Sequence, residues 1–134
     1  MKKLRECKDP LLRFFEVFAP LQNKMCPVLV QLPPMLHYHT HVAEEFFNEL
    51  LFFKENDFVL EVRHESWLQP EAINLLKQYN IGFVISHSHN VFPYAEYITS
   101  KNIYFRFHGP AGLYTSGYSV DKLIEFAEKI VAWK

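Results

Sequence analysis

Glycine is scarce in this chain, four in 134 residues, which speaks against a flexible or low-complexity polypeptide. Cysteine is scarcer still, and Cys7 and Cys26 form neither a CxxC pair nor a disulfide framework. No sign of charge dominates. The formal net charge of −1 provides no overall positive field to hold nucleic acid or an anionic membrane, so neither is expected as a partner. No uninterrupted apolar run approaches the ~18 residues of a membrane helix. The start, MKKLRECKDP, is basic but has no apolar stretch behind it, so a secretory leader is not expected and the cytoplasm is the expected location.

What the chain does have is apolar mass. Hydrophobic residues make up 49% and aromatics 16%, with thirteen phenylalanines, enough for one domain over 1–134 with a layered core. DPLLRFFEVFAPLQNKM (9–25) places Leu11, Phe14, Phe15 and Phe18 at helical spacing behind an Asp9-Pro10 start, and Pro20 kinks or ends it. PVLVQLPP (27–34) reads as a short strand closed by two prolines. THVAEEFFNELLFFKEN (40–56) reads as a helix capped by Thr40, with Val42, Phe46, Leu50 and Phe53 on one face. FVLEVRH, GFVISHS and NIYFRFHG read as strands. QPEAINLLKQYNIG reads as a helix closed near Gly82, and SVDKLIEFAEKIVAWK as a last helix capped by Ser119. The segment 89–102 has room for a turn or two of helix at most.

Strands alternating with crossovers make a parallel sheet. Side chains alternate across each strand, and every strand divides into a greasy and a polar face. Phe58, Leu60 and Val62 oppose Glu61 and Arg63; Phe83 and Ile85 oppose Ser86 and Ser88; Phe105 and Phe107 oppose Arg106 and His108. An open sheet covered on both sides would be apolar on both faces, whereas a barrel admits polar side chains into its lumen. The expected architecture is therefore α/β, a partial TIM-type (β/α) barrel of about four parallel strands with outer helices. A complete barrel takes about 250 residues, so four strands supply half of one, and a small open α/β sheet is the alternative.

The stretches PVLVQLPP, FVLEVRHESW, FVISHS, IYFRFHGPAGLYTSGYS and LIEFAEKIVAWK, in that order, resemble the DUF72 family, also called YecE-like. The resemblance implies a TIM-type barrel, of which this chain looks like the later-middle part, without the amino-terminal strands and the last strand. It implies no reaction. By position, Gln31, Glu61, Arg63, His64, Trp67, Ser88, Arg106, His108 and Gly109 match the family pattern. His87 stands where members usually carry Asp, which bears on any metal or base role of that position, and Glu65 stands where Pro is common.

The strand ends concentrate candidate chemistry. Glu61, His108 and His64 are the acid–base candidates, because imidazole titrates near neutrality and a buried carboxylate is tunable. Gln31, Arg63, Ser88, Arg106 and Tyr114 are the candidate ligand contacts. Two arginines against one glutamate leave positive charge to spare, which points to a small anionic ligand, phosphate or carboxylate. The bland alternative is an ion-pair network that satisfies itself. No metal site is expected, since no HxxxH or HExxH spacing occurs, and the sequence identifies no cofactor. HYHTH (37–41) reads as a solvated loop, Trp67 as packing, and GPAGLYTSG as a weak phosphate-loop signal without Walker or Rossmann spacing. Functionally the choice lies between an enzyme, a non-catalytic binding module and an inactive fragment of a split or truncated barrel. Half a barrel would leave edges at Val28, Val30, Phe105 and Phe107 and open Leu29, Val59, Val84 and Tyr104 to water. Self-association, or pairing with a complementing amino-terminal half-barrel, is expected.

Overall fold

The computed structural model describes residues 4–133. Four strands, β1 (Val28–Gln31), β2 (Phe58–Glu61), β3 (Gly82–His87) and β4 (Tyr104–Phe107), alternate with helices α1 (Lys8–Phe18), α2 (Thr40–Leu50), α3 (Pro70–Gln78) and α4 (Val120–Ala132). The strands lie in sequence order and every neighbouring pair is parallel. Gln31 stands beside Glu61, and Ser86 beside Arg106, so the polar positions fall in register at the carboxyl ends.

The sheet curls. In a flat sheet β1 and β4 would lie three spacings apart, about 14 Å, yet Nη1 of Arg106 on β4 donates to Oε1 of Gln31 on β1 at 3.0 Å. The chain is thus a partial barrel wall. Its outer face, with Phe58, Leu60, Phe83 and Ile85, belongs to one core with Phe46, Phe47 and Leu50 of α2 and Ile73, Leu75 and Leu76 of α3. The inner face is less open than half a barrel suggests. Val59 and Val84 are 0% and 1% exposed, because the curl brings the flanking strands round them, while Leu29 and Tyr104 are half-buried.

Several boundaries differ from the expectation for local reasons. α1 ends at Phe18 and a 3-10 turn, Ala19–Lys24, continues it through Pro20, which can occupy a first turn but not a helix interior. Asp9 lies inside the first turn, and Cys7 is the N-cap residue. Thr40 does not cap α2; His39 holds that place without a side-chain bond, and the Thr40 hydroxyl donates to Glu71 at 2.7 Å. The buried stripe of α2 is Ala43, Phe46, Phe47 and Leu50, rotated from the face expected, because the helix packs under α3 as well as on the sheet. α3 is closed by Asn80 rather than Gly82. Asn80 takes φ 53°, its N–H donates to the Lys77 carbonyl, and Ile81 N–H donates to the Leu76 carbonyl, the paired bonds of a Schellman ending. Gly82 instead begins β3, where a Cβ would stand 2.9 Å from both Ser100 Oγ and Val59 Cγ1. Ser119 caps α4 as expected, accepting from Lys122 N–H at 3.3 Å. The 88–103 connection contains no helix. Thr99 holds it against the sheet, accepting from Phe83 N–H at 2.7 Å and donating to the Ile81 carbonyl at 2.6 Å.

Candidate functional site

Glu61 is the last residue of β2 and is 0% exposed. A buried carboxylate is tolerable only when donors surround it, and four side chains supply them. Ser86 Oγ donates to Oε1 at 3.1 Å, Arg63 Nη2 reaches Oε1 at 3.5 Å, Arg106 Nη1 donates to Oε2, and His108 Nε2 lies 3.1 Å from Oε1. Burial pushes the Glu61 carboxyl upward, but the His108 hydrogen bond, the Arg106 charge and hydrogen bond and the Arg63 charge together outweigh it and hold the group below its ordinary value. Glu61 is therefore an anion at neutral pH. The cluster, with one carboxylate and two guanidiniums, retains one surplus positive charge when His108 is neutral.

An ionised carboxylate only accepts, so the nitrogen of His108 that faces Glu61 carries hydrogen. In the neutral ring the other nitrogen, Nδ1, is then an acceptor, and the Tyr114 hydroxyl stands 2.6 Å from it. His108 is 2% exposed, whereas Tyr114 is 73% exposed. Arg106 also donates to Gln31. The residues brought together are thus Gln31, Glu61, Arg63, Arg106, His108 and Tyr114. Ser86 joins them; strand parity placed it on the inner face, but nothing in the sequence marked it as a Glu61 donor.

Arg63 lies beyond the strand. Its Cζ sits 4.0 Å from the Phe92 ring centroid, in the geometry of a cation–π contact, and its Nε is buried with no hydrogen-bond partner. An open cleft of about 620 Å³ lies beside it, lined by Arg63, His64, Asn90, Phe92 and Tyr94 among others. The cleft and Phe92 were not foreseen, because they belong to an irregular loop.

His64 and Ser88 are not part of the network. His64 accepts from Ser66 N–H through Nδ1 at 3.2 Å, capping the 3-10 turn Glu65–Leu68, and its ring stacks on His37 with centroids 3.8 Å apart. The neutral ring must then carry hydrogen on Nε2, leaving that nitrogen as a donor. Ser88 Oγ accepts from Phe92 N–H at 3.0 Å and so shapes the loop under Arg63. His87 has the opposite parity to Ser88 and faces α4. Its Nδ1 is 2.8 Å from the Tyr118 hydroxyl, and burial, then the Lys122 charge, depress its imidazole against the opposing pull of Glu125.

Trp67 is buried and donates to the Leu36 carbonyl at 2.9 Å. His37, His39 and His41 are exposed, and His41 pairs with Glu45 one turn on. In the 109–117 loop the amides of Gly109, Ala111 and Tyr114 are taken by Tyr118, Ser116 and His108 within the loop and its flanks, so these amides do not form an open phosphate cradle. Among the described residues, no group of three or more His, Cys, Asp or Glu side chains is arranged to hold a metal ion, and no helix is long and apolar enough to cross a membrane.

Comparison with known proteins places this geometry in a family. No curated protein matches the chain. Among solved structures, a DUF72 family protein from Thermotoga maritima is similar over 96% of this chain and 55% of that one, with 25% identity and a TM-score of 0.81. Two crystal structures of a DUF72 family protein from Enterococcus faecalis show the same fold. The identities are 24% and 23%, with TM-scores of 0.66 and 0.69, covering 87% and 89% of this chain and 46% and 54% of those chains. The chain thus spans about half the length of the solved proteins it matches. The family model described as "Protein of unknown function DUF72" matches residues 1–134, and the chain belongs to the DUF72 family.

Proposed function

We propose that the inner-face cluster binds a small anion, a carboxylate or a phosphate, through Arg106 and Arg63, with His108 as its acid–base group and Glu61 holding that imidazole in place. The observation that carries the reading is the charge imbalance around one wholly buried carboxylate. Glu61 can neutralise one guanidinium, and the second charge is left to a ligand. The buried, unpartnered Nε–H of Arg63 favours the same reading, because a buried donor without an acceptor costs about 1–3 kcal/mol and an anion would supply that acceptor. Lys would not serve as well as Arg, whose planar fork matches a carboxylate or phosphate edge. Glu61 fits an orienting role better than a proton-transfer role, since its oxygens already accept from four side chains.

A calorimetric titration with inorganic phosphate and a panel of small carboxylates, on this chain and on the full-length Thermotoga maritima relative, tests the proposal. We expect saturable binding that Arg63→Ala or Arg106→Ala weakens by at least about tenfold, the scale of one charge-assisted hydrogen bond. Binding unchanged in both variants overturns the assignment. Turnover of a hit would identify an enzyme, and saturable binding without turnover a binding module.

A further inference from the structure

The loop after β4 doubles back within seven residues, and the Tyr114 N–H donates to the carbonyl of His108. That closure depends on Gly109, which takes φ 123°, and where a Cβ would stand 2.1 Å from the Gly112 carbonyl oxygen. Tyr114 itself takes φ 58°. A bulky residue in the left-handed region is strained and persists only where its surroundings impose it. The outcome of this strain is specific: it sets the phenol oxygen 2.6 Å from Nδ1 of His108, the nitrogen left as acceptor by the Glu61 contact.

Three groups therefore stand in line, an exposed hydroxyl, a buried imidazole and a buried carboxylate. A hydroxyl within reach of a base that a third group orients is the arrangement by which enzymes activate an oxygen. We propose that Tyr114, His108 and Glu61 form a proton relay whose working atom is the Tyr114 phenol oxygen. The proposal rests on the reading of His108 as an acid–base group, but not on the anion. The ligand it would take is a proton acid, a hydroxyl or a carbon acid beside a carbonyl. As the phenol oxygen takes the ligand's proton, its own proton passes to Nδ1 of His108. Tyr114 ends neutral and the ligand ends as an anion. The imidazolium keeps its Nε2–H on Oε1 of Glu61, whose charge offsets the new positive one. Tyr114, assigned from sequence as a ligand contact, becomes the group that meets the ligand and moves its proton.

The purely structural alternative is that the phenol only pins the loop, and reactivity separates the two. The intact chain would be treated with N-acetylimidazole and the rate of acetylation at Tyr114 followed by peptide mass spectrometry, with free N-acetyltyrosinamide as reference. A relay predicts acetylation at least about tenfold faster than the reference at pH 7, a conservative share of the factor general bases supply. It also predicts that His108→Gln abolishes this excess. A rate at or below the reference, or an excess that survives His108→Gln, overturns the relay. If His108→Gln fails to fold by circular dichroism, the wild-type rate at Tyr114 against the reference decides alone, a rate at or below the reference counting against the relay. Calorimetry with phosphate and carboxylates reads the anion and acetylation of the wild-type chain without them reads the relay, so the two readings fail separately.

Discussion

The two faces of β2 and β3 are built from the same strands and are equally dry, yet they are dry for different reasons. On the helix side Phe58, Leu60, Phe83 and Ile85 are buried by apolar contact alone. On the inner side Val59 and Val84 give way, towards the carboxyl ends, to Glu61 and Ser86, which remain buried because each polar atom is matched by another. Apolar burial is forgiving of small shifts and indifferent to protons. Polar burial is specific in geometry, and its strength depends on the charge of one carboxylate. The alternation of a β-strand thus separates what stabilises this wall from what it can do.

The comparison breaks most visibly at Phe47, which is 0% exposed beneath the helix side. Phe47→Ala should cost about 3–5 kcal/mol, measured as a lowered urea midpoint, with the same loss at pH 7 and pH 4. A pH-dependent loss would show that the two faces are not energetically separate.

Glu61→Gln keeps the shape of the side chain and removes its charge, leaving two guanidiniums and an imidazole without their counter-ion. We expect a loss of about 3 kcal/mol at pH 7, read from the same urea midpoints. Its pH signature is the opposite of that of Phe47→Ala. The Glu61 carboxyl is held below its ordinary value of 4.5, so its contribution is fully present above that value and is lost as pH falls through the lower folded value. The gap between wild type and Glu61→Gln should therefore narrow below about pH 4.5. A gap that stays constant down to pH 3 would mean that charge is not what buries Glu61.

The smallest expected effect on folding lies where inner strands are compared with outer ones. β2 and β3 are buried throughout apart from His87, while β1 and β4 are half-exposed, and α4 presents Val120, Leu123, Ile124 and Val131 to solvent. We propose that copies of this chain pair through these edges. Light scattering at micromolar concentration should give a mass above 15.9 kDa, and Ile124→Glu with Val131→Glu should return it to the monomer. Being surface changes, each should alter monomer stability by no more than about 0.5 kcal/mol. A cooperatively melting wild-type monomer removes the proposal.

Much of this was legible in the sequence because it depends on periodicity. Strand parity alone put Glu61, Ser86, Arg106 and His108 on one face, and the βα alternation gave the parallel order. What was not legible depends on backbone conformations outside the regular regions. Gly82 reads as the end of α3, but Asn80 tolerates φ 53° and ends it, which frees Gly82 for a close strand contact. His64 stands at the strand exit by position, but that its Nδ1 caps the 3-10 turn at Glu65–Leu68 follows from local backbone geometry that no spacing shows. Tyr114 could be assigned to a loop near the site but not to His108, because that contact follows from two left-handed residues, Gly109 and Tyr114, whose φ values no spacing rule encodes. Phe92 beneath Arg63 was hidden for the same reason.

Arg106 reaches from the last strand of the wall to the first, gripping Gln31 and Glu61 with a single nitrogen. In the language of masonry the strands form an arch and Arg106 is the tie between its springers. If Arg106 also holds the anion proposed above, the tie cannot serve both without consequence: an anion that drew Nη1 away from Gln31 would slacken the arch, and an arch sprung wider would withdraw the hand. Occupancy and curvature would then be two readings of one side chain.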